Sequence, residues 1–316
     1  MMRLFMQFTQ LSRIIRRFLN LAIGLPFKRF LYYSGLGKSL FLDKQGRAKI
    51  RKMEVYAANG CNLKCLFCSH FNPFRRGIIP ADELIASFET WSKKVVPQKL
   101  GILGGEPLLH PELERIIVTA HRCWPESRII LTSNGLLFPS KPDSLLQTLK
   151  DAGVQVFLSR HIPTEEGERK FQEIVSQLQN AGVWVTIIPS SDRWKRYYNI
   201  DDNGQPQPFE SSPEKAWTMC GTKTCFNLTN NKLYRCSILA NAALAYEEGV
   251  LGENWAVTQT YQPLTDDASA NEIVEHLFLM RGPLKACSIC PETTVVVEAQ
   301  QIERVQRILR TTVDSQ

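Results

Sequence analysis

Cys61, Cys65 and Cys68 place three thiols within eight residues, in the run Cys61-Asn-Leu-Lys-Cys65-Leu-Phe-Cys68. Thiolates this close suit a soft metal or an iron–sulfur cluster. A structural zinc site normally uses four ligands in two pairs. No fourth ligand stands nearby, so one coordination position stays open, as a reactive centre requires. A second set follows much later, at Cys220, Cys225, Cys236, Cys287 and Cys290. Paired cysteines on turns are also common zinc mounts, so a four-cysteine zinc site competes there with a cluster. Cys123, beside Trp124, reads as a small buried hydrophobe. The stretch Arg193-Trp194-Lys195-Arg196-Tyr197-Tyr198 has the chemistry to meet a phosphate, a sugar ring or an anionic peptide. Nine cysteines in 316 residues are too sparse, and odd in number, for a secreted disulfide scaffold. They read as ligands and thiols in a reducing, cytoplasmic compartment.

These residues need a frame, and the hydrophobic periodicity supplies one. Strands are predicted at 55–58, 99–103, 128–132, 154–159 and 183–189. Helices are predicted at 82–94, 111–123, 143–152 and 165–181. The alternation implies parallel strands with helices outside. Five units, with a sixth left open further on, are too few for a closed eight-stranded barrel. The predicted fold class is therefore α/β, an open partial TIM barrel of the (β/α)6 type. Its chemistry belongs at the C-terminal ends of the strands, where Cys61–Cys68, Gly104-Gly105, Asn134-Gly135 and Ser159 all fall. Residues 192–214 break the rhythm as a polar linker.

The charge is concentrated at one end. Seven basic residues and no acidic one precede Asp43, so the net +7 lies in residues 1–42 and the remainder balances. A neutral body argues against a nucleic-acid partner. The spacing Leu4–Phe8–Leu11–Ile15–Phe18 fits one face of an amphipathic helix. Its longest charge-free run, 18–27, is half of what a spanning helix needs, roughly twenty residues. Two roles remain: a peripheral membrane contact through residues 1–42, at the inner face, or a helix docked on protein. The expected organisation is a basic leader at 1–48, a barrel core at 49–200 and a Cys-rich region at 201–316.

The thiol spacing at the end of the first strand resembles the radical S-adenosylmethionine (SAM) superfamily. Gly104-Gly105-Glu106-Pro107 is similar to that family's GGEP turn, and Phe67 to its aromatic position near the adenine. Ser133 and Asn134 match a segment that contacts ribose or the methionine carboxylate; Ser159 and Arg160 match further polar contacts. The resemblance implies a [4Fe–4S] cluster on Cys61, Cys65 and Cys68, with SAM bound through its amine and carboxylate. Glu106 would accept a hydrogen bond from that amine. His70 and His110 read as supporting residues.

The C-terminal set resembles a SPASM or twitch region, which implies a second iron–sulfur cluster. Five thiols then compete for four positions. Cys236, Cys287 and Cys290 take three, and Cys220 or Cys225 the fourth. The spare thiol is the candidate hydrogen donor, and otherwise no catalytic residue is assigned. The implied activity is reductive SAM cleavage to a 5′-deoxyadenosyl radical and hydrogen abstraction from a peptide or protein. A sugar or lipid-linked saccharide is the alternative substrate, and a non-catalytic metal scaffold at a membrane the second alternative. The implied partners are SAM and an electron donor, either a reductase or a flavodoxin or ferredoxin.

Overall fold

The computed structural model describes residues 25–65, 67–161, 165–188, 196–279 and 282–295. Residues 1–24 of the leader and Arg193–Lys195 of the basic–aromatic stretch lie outside these.

The described chain opens with helices α1 (Leu25–Tyr33) and α2 (Lys38–Phe41). Five strands then follow in order: β1 (Ala48–Ala58), β2 (Val95–Gly104), β3 (Arg128–Ser133), β4 (Gln155–Ser159) and β5 (Trp184–Ile188). The helices between them are α3 (Ala81–Trp91), α4 (Leu113–Cys123), α5 (Asp143–Asp151) and α6 (Glu165–Asn180). Each successive pair of strands is parallel. Spacing explains how the helices seat. α4 buries Leu113, Ile116, Ile117 and Ala120, and α6 buries Phe171, Ile174, Val175 and Leu178. Both sets fall at i, i+3, i+4, i+7, one apolar stripe each. On β1, Met53, Val55 and Ala57 join the same core as Phe88 and Trp91 of α3. Lys52, Glu54 and Tyr56 therefore project from the opposite face of the strand.

A sixth parallel strand exists, but not beyond β5. After the short hairpin β6 (Asn199–Ile200) and β7 (Pro206–Gln207) and helix α7 (Pro213–Met219), strand β8 (Cys225–Thr229) pairs with β1. Antiparallel β9 (Lys232–Tyr234) completes an open sheet of order β5-β4-β3-β2-β1-β8-β9. The physical reason lies in β1. It is buried along most of its length, and its second edge needs backbone partners that only another strand supplies. β8 and β9 meet at Asn230 and Asn231, both near φ +50°, the conformation of a two-residue hairpin turn expected from these asparagines. Trp91 Nε1 donates to the Asn231 carbonyl at 3.2 Å, anchoring the turn to α3.

A second core joins the far region to the thiol loop. Phe67, Phe71 and Tyr198 pack with Leu239, Trp255 and Ile289. Its centre is α8 (Ser237–Glu247), which is buried from Ser237 to Ala245 and so needs no polar face. A further helix, α9 (Ala270–Val274), carries a capping box between Ser269 and Glu272.

Candidate active site

The loop after β1 is closed at its neck. Asn59 and Gly60 N–H groups both donate to the Gly77 carbonyl, at 3.0 and 2.9 Å, and Ile79 N–H donates to Ala57 O at 3.1 Å. Buried Arg75 then makes a two-pronged contact with Glu248 at the end of α8, 2.7 and 2.6 Å long. Such fork-to-fork pairing fixes orientation as well as position. Between these anchors Phe67 and Phe71 hold φ of +54° and +56° on either side of Cys68. Bulky residues adopt that region only where their surroundings enforce it.

β2 ends against this loop. Gly105 N–H donates to Ala58 O at 2.8 Å, and Glu106 N–H to Gly60 O at 2.9 Å. Glu106 is completely buried and ties β2 to β3. Its Oε1 accepts from Ser133 Oγ at 2.7 Å and Leu108 N–H at 3.0 Å; its Oε2 accepts from Asn134 N–H at 2.9 Å. Three of roughly four acceptor positions are thereby used by the chain itself. Burial raises the Glu106 pKa against the pull of these hydrogen bonds. Asn134 reaches back to the thiol loop, donating to Asn62 Oδ1 at 2.7 Å.

One cavity of about 360 Å³ opens where these strand ends meet. Cys61, Cys65, Cys68 and Phe67 line it from the first loop; Gly104, Gly105 and Glu106 from the second; Ser133, Asn134 and Ser159 from the third and fourth. Two residues of the expected set lie elsewhere. Pro107 is buried in the turn behind Glu106, and Arg160 pairs with Glu168 of α6 at 3.1 Å. His110 is fully committed to the backbone, with Ile79 O at 2.8 Å and Glu112 N–H at 3.0 Å. His70 and His161 instead sit beside thiols, each ring Nδ1 3.9 Å from Cys68 and Cys65 respectively. His161 and Tyr197 also line the cavity, and sequence reasoning misses His161. Its signal is position: it follows Ser159-Arg160 at a strand end.

Burial pushes all three thiols upward, Cys65 to about 12 with the neighbouring thiols adding to the effect. Left alone, they are protonated at neutral pH. A bound cation reverses that balance, because ligation requires and stabilises the thiolate. Soft donors lining one cavity together with hydroxyl and amide groups therefore suit an iron–sulfur group with a polar ligand beside it. Among the described residues, no three His, Cys, Asp or Glu side chains are arranged around a single metal ion.

The second set divides. Cys220 follows α7, Cys236 precedes α8, and Cys287 and Cys290 bracket one turn. Thr222 Oγ1 bridges Cys220 and Cys236, at 3.3 and 3.6 Å. Burial raises the pKa of Cys290, and charges on Cys236, Cys220 and Cys287 raise it further. Cys225 lies apart: burial and then Glu54 raise its pKa, while Lys52 opposes them. Tyr197 borders both centres. It lines the cavity, and burial together with Cys290, Cys220, Cys236 and, least, Cys225 lifts its hydroxyl to about 12.

Residues 55–187 match the Radical SAM superfamily. The chain is 31% identical over 156 residues to GTP 3′,8-cyclase of Aquifex aeolicus, covering 47% of this chain and 46% of that protein. It is 36% identical over 117 residues to a probable GTP 3′,8-cyclase of Methanocaldococcus jannaschii, covering 35% and 36%. The chain thus spans less than half the length of these curated relatives. Among solved structures it is similar to a histidine-tagged anSMEcpe with bound AdoMet, with TM-score 0.48 and 14% identity over 84% of this chain and 97% of that one. A complex of BtrN with AdoMet and 2-DOIA gives TM-score 0.42 and 15% identity over 78% and 98%. Those two likenesses are too loose to argue from. The match over 55–187 takes in every one of the thiol, glycine and strand-end residues that meet at the cavity, so the part of the chain that builds the site is the part similar to the Radical SAM superfamily.

Proposed function

We propose that this chain is a radical SAM enzyme. Cys61, Cys65 and Cys68 hold a [4Fe–4S] cluster, and SAM binds in the adjoining cavity. When bound, that pair supplies a 5′-deoxyadenosyl radical after one-electron reduction. The observation that carries the reading is that the three thiols, Gly104-Gly105 and Ser133-Asn134 line one cavity. The chain's own part is to orient and to exclude water. Glu106 fixes the β2 and β3 ends rather than reaching out freely, with one acceptor position on Oε2 left for an amine. Ser159 and Asn134 offer polar contacts to the rest of the ligand.

Cys220, Cys236, Cys287 and Cys290 are proposed to hold a second iron–sulfur cluster, within a C-terminal region at 201–316. Tyr197, bordering both centres, supports a location near the substrate. The proposed substrate is a peptide or protein, on the strength of the twitch-like second thiol set. A saccharide and GTP, the latter from the relatives' name, are the substrates to run beside it. A flavodoxin, ferredoxin or reductase delivers the electron. The test is iron content and 5′-deoxyadenosine formation after anaerobic reconstitution. The Cys61/Cys65/Cys68→Ala triple variant should lose about four irons per chain and all 5′-deoxyadenosine. Iron retained in full by that variant would overturn the assignment.

The exposed apolar residues support a cytoplasmic protein attached to the inner face of a membrane. Phe27, Phe30, Leu36 and Leu40 are all exposed, beside Lys28, Arg29 and Lys38, while exposed Tyr33 donates its hydroxyl to Glu275. Apolar side chains among basic ones match an anionic lipid surface. Among the described residues, no helix is long and apolar enough to cross a bilayer. Flotation with anionic vesicles should be lost in a Phe27/Phe30/Leu36/Leu40→Ser variant and in neutral vesicles. Equal flotation of both proteins would sink the idea.

A further inference from the structure

The thiol loop has two sides. Cys61, Leu63 and Cys65 line the cavity, while Asn62 and Lys64, which alternate with them, are exposed and do not line it. From Val55 to Ala81 the chain holds no acidic residue, and its lysines and arginines are Lys64, Arg75 and Arg76. Arg75 is buried and spent on Glu248. Lys64 and Arg76 are exposed, and among the described residues neither pairs with a carboxylate. Arg115, Arg122 and Arg169 on the outer helices, by contrast, are paired with Asp82, Glu89 and Glu166. Arg76 is pinned at the neck of the loop. Its Nη1 donates to the carbonyls of Arg75, Asn72 and Pro73 at 3.0, 3.2 and 3.3 Å. Its Cα lies 3.7 Å from where a Cβ on Gly60 would stand, one residue before Cys61. Exposed Ile78 follows, bridged to Ala58 at the end of β1. The outer side of the thiol loop is therefore basic, with one apolar side chain beside the charges.

We propose that this outer side, with Lys64, Arg76 and Ile78, is the docking surface for an acidic one-electron carrier protein of the flavodoxin kind. This rests on the cluster assignment above. One electron leaves the carrier's reduced flavin and enters the cluster, and no bond is made or broken. Electron transfer weakens steeply with distance, and Lys64 is joined by one peptide bond to the proposed ligand Cys65. A carrier seated here has only the thickness of the loop between its flavin and the thiols. Unpaired basic side chains steer an acidic partner to that place and orient it, and an apolar contact among them excludes water. The cavity on the inner side stays free for the substrate.

The test is the rate of anaerobic cluster reduction in the reconstituted full chain. Two donors are compared: a reduced bacterial flavodoxin, and photoreduced deazariboflavin, which is small and uncharged. Lys64→Gln/Arg76→Gln should keep its iron and be reduced by flavodoxin about tenfold more slowly at low salt. Added salt should slow the wild type toward the variant, because it screens exposed charges. Deazariboflavin should reduce both proteins at the same rate. If the double variant loses iron, Arg76→Gln alone and the salt dependence of the wild-type rate decide, and a wild-type rate indifferent to salt overturns the proposal. Equal flavodoxin rates with full iron would overturn it while leaving the cluster assignment standing. So would equal slowing with both donors, which marks an altered cluster. A variant that keeps its flavodoxin rate but no longer floats with anionic vesicles would give the surface to lipid, and the proposal would again fail. Wild-type protein without iron would overturn both readings.

Discussion

Gly105→Ala should dismantle the thiol loop. A Cβ at position 105 would lie 1.8 Å from the Gly60 oxygen and 2.4 Å from its carbon. Both are backbone atoms, so no side chain can swing away. Relief requires β2 and the first loop to separate, and that breaks the Gly105–Ala58 and Glu106–Gly60 hydrogen bonds. Gly60 immediately precedes Cys61, so the strain passes directly to a proposed ligand. Backbone overpacking of this kind costs about 3 kcal/mol or more. In a chain of this size that lowers Tm by roughly 5–10 °C. Bound iron should fall together with Tm. Gly252→Ala is the control. Its Cβ would meet only Asn254 Oδ1, at an ordinary 3.5 Å, and its effect should stay within about 0.5 kcal/mol. Equal Tm and iron in Gly105→Ala and wild type would show that the two loops do not need this close approach.

Gly104 and Gly105, each of which would drive a Cβ into the backbone where β1 meets the first loop, show why the end of β2 was legible. A motif that places backbone against backbone admits no other residue. Its identity and its location at a strand end both survive in the sequence. Strand and helix order from β1 to β5 was equally legible, because α4 and α6 keep a clean apolar stripe. The limits of β1 were not. It begins at Ala48, seven residues before the predicted start, because Lys49, Arg51 and Lys52 hide the alternation under charge. The place of β8 was also hidden. Periodicity reports which face of a strand is buried, and says nothing about which neighbour it pairs with. Arg160 ends the fourth strand, where the resemblance implies a cofactor contact, and the structure pairs it with Glu168 on the following helix.

Cys220 and Cys225 could not be separated by spacing, and geometry now sets up an unequal outcome for them. Cys225 opens β8 and lies in register with Lys52 on β1. Lys52 is paired with Glu54 at 2.5 Å, so Cys225 faces an ion pair on the neighbouring strand. Cys220 shares Thr222 with Cys236, and its charge bears on Cys236, Cys287 and Cys290. Removing Cys220 therefore takes a ligand from the proposed second cluster, and removing Cys225 takes none. Cys220→Ala should drop the iron content from about eight to about four per chain, and Cys225→Ala should leave about eight. The reverse result would mean that the end of β8 turns inward to ligate, against its pairing with β1. About four irons in both variants and in wild type, with one zinc lost only from Cys220→Ala, would identify the second group as a zinc site. That outcome would keep the four-thiol grouping and remove the second cluster, so the experiment tests the grouping and its occupant separately.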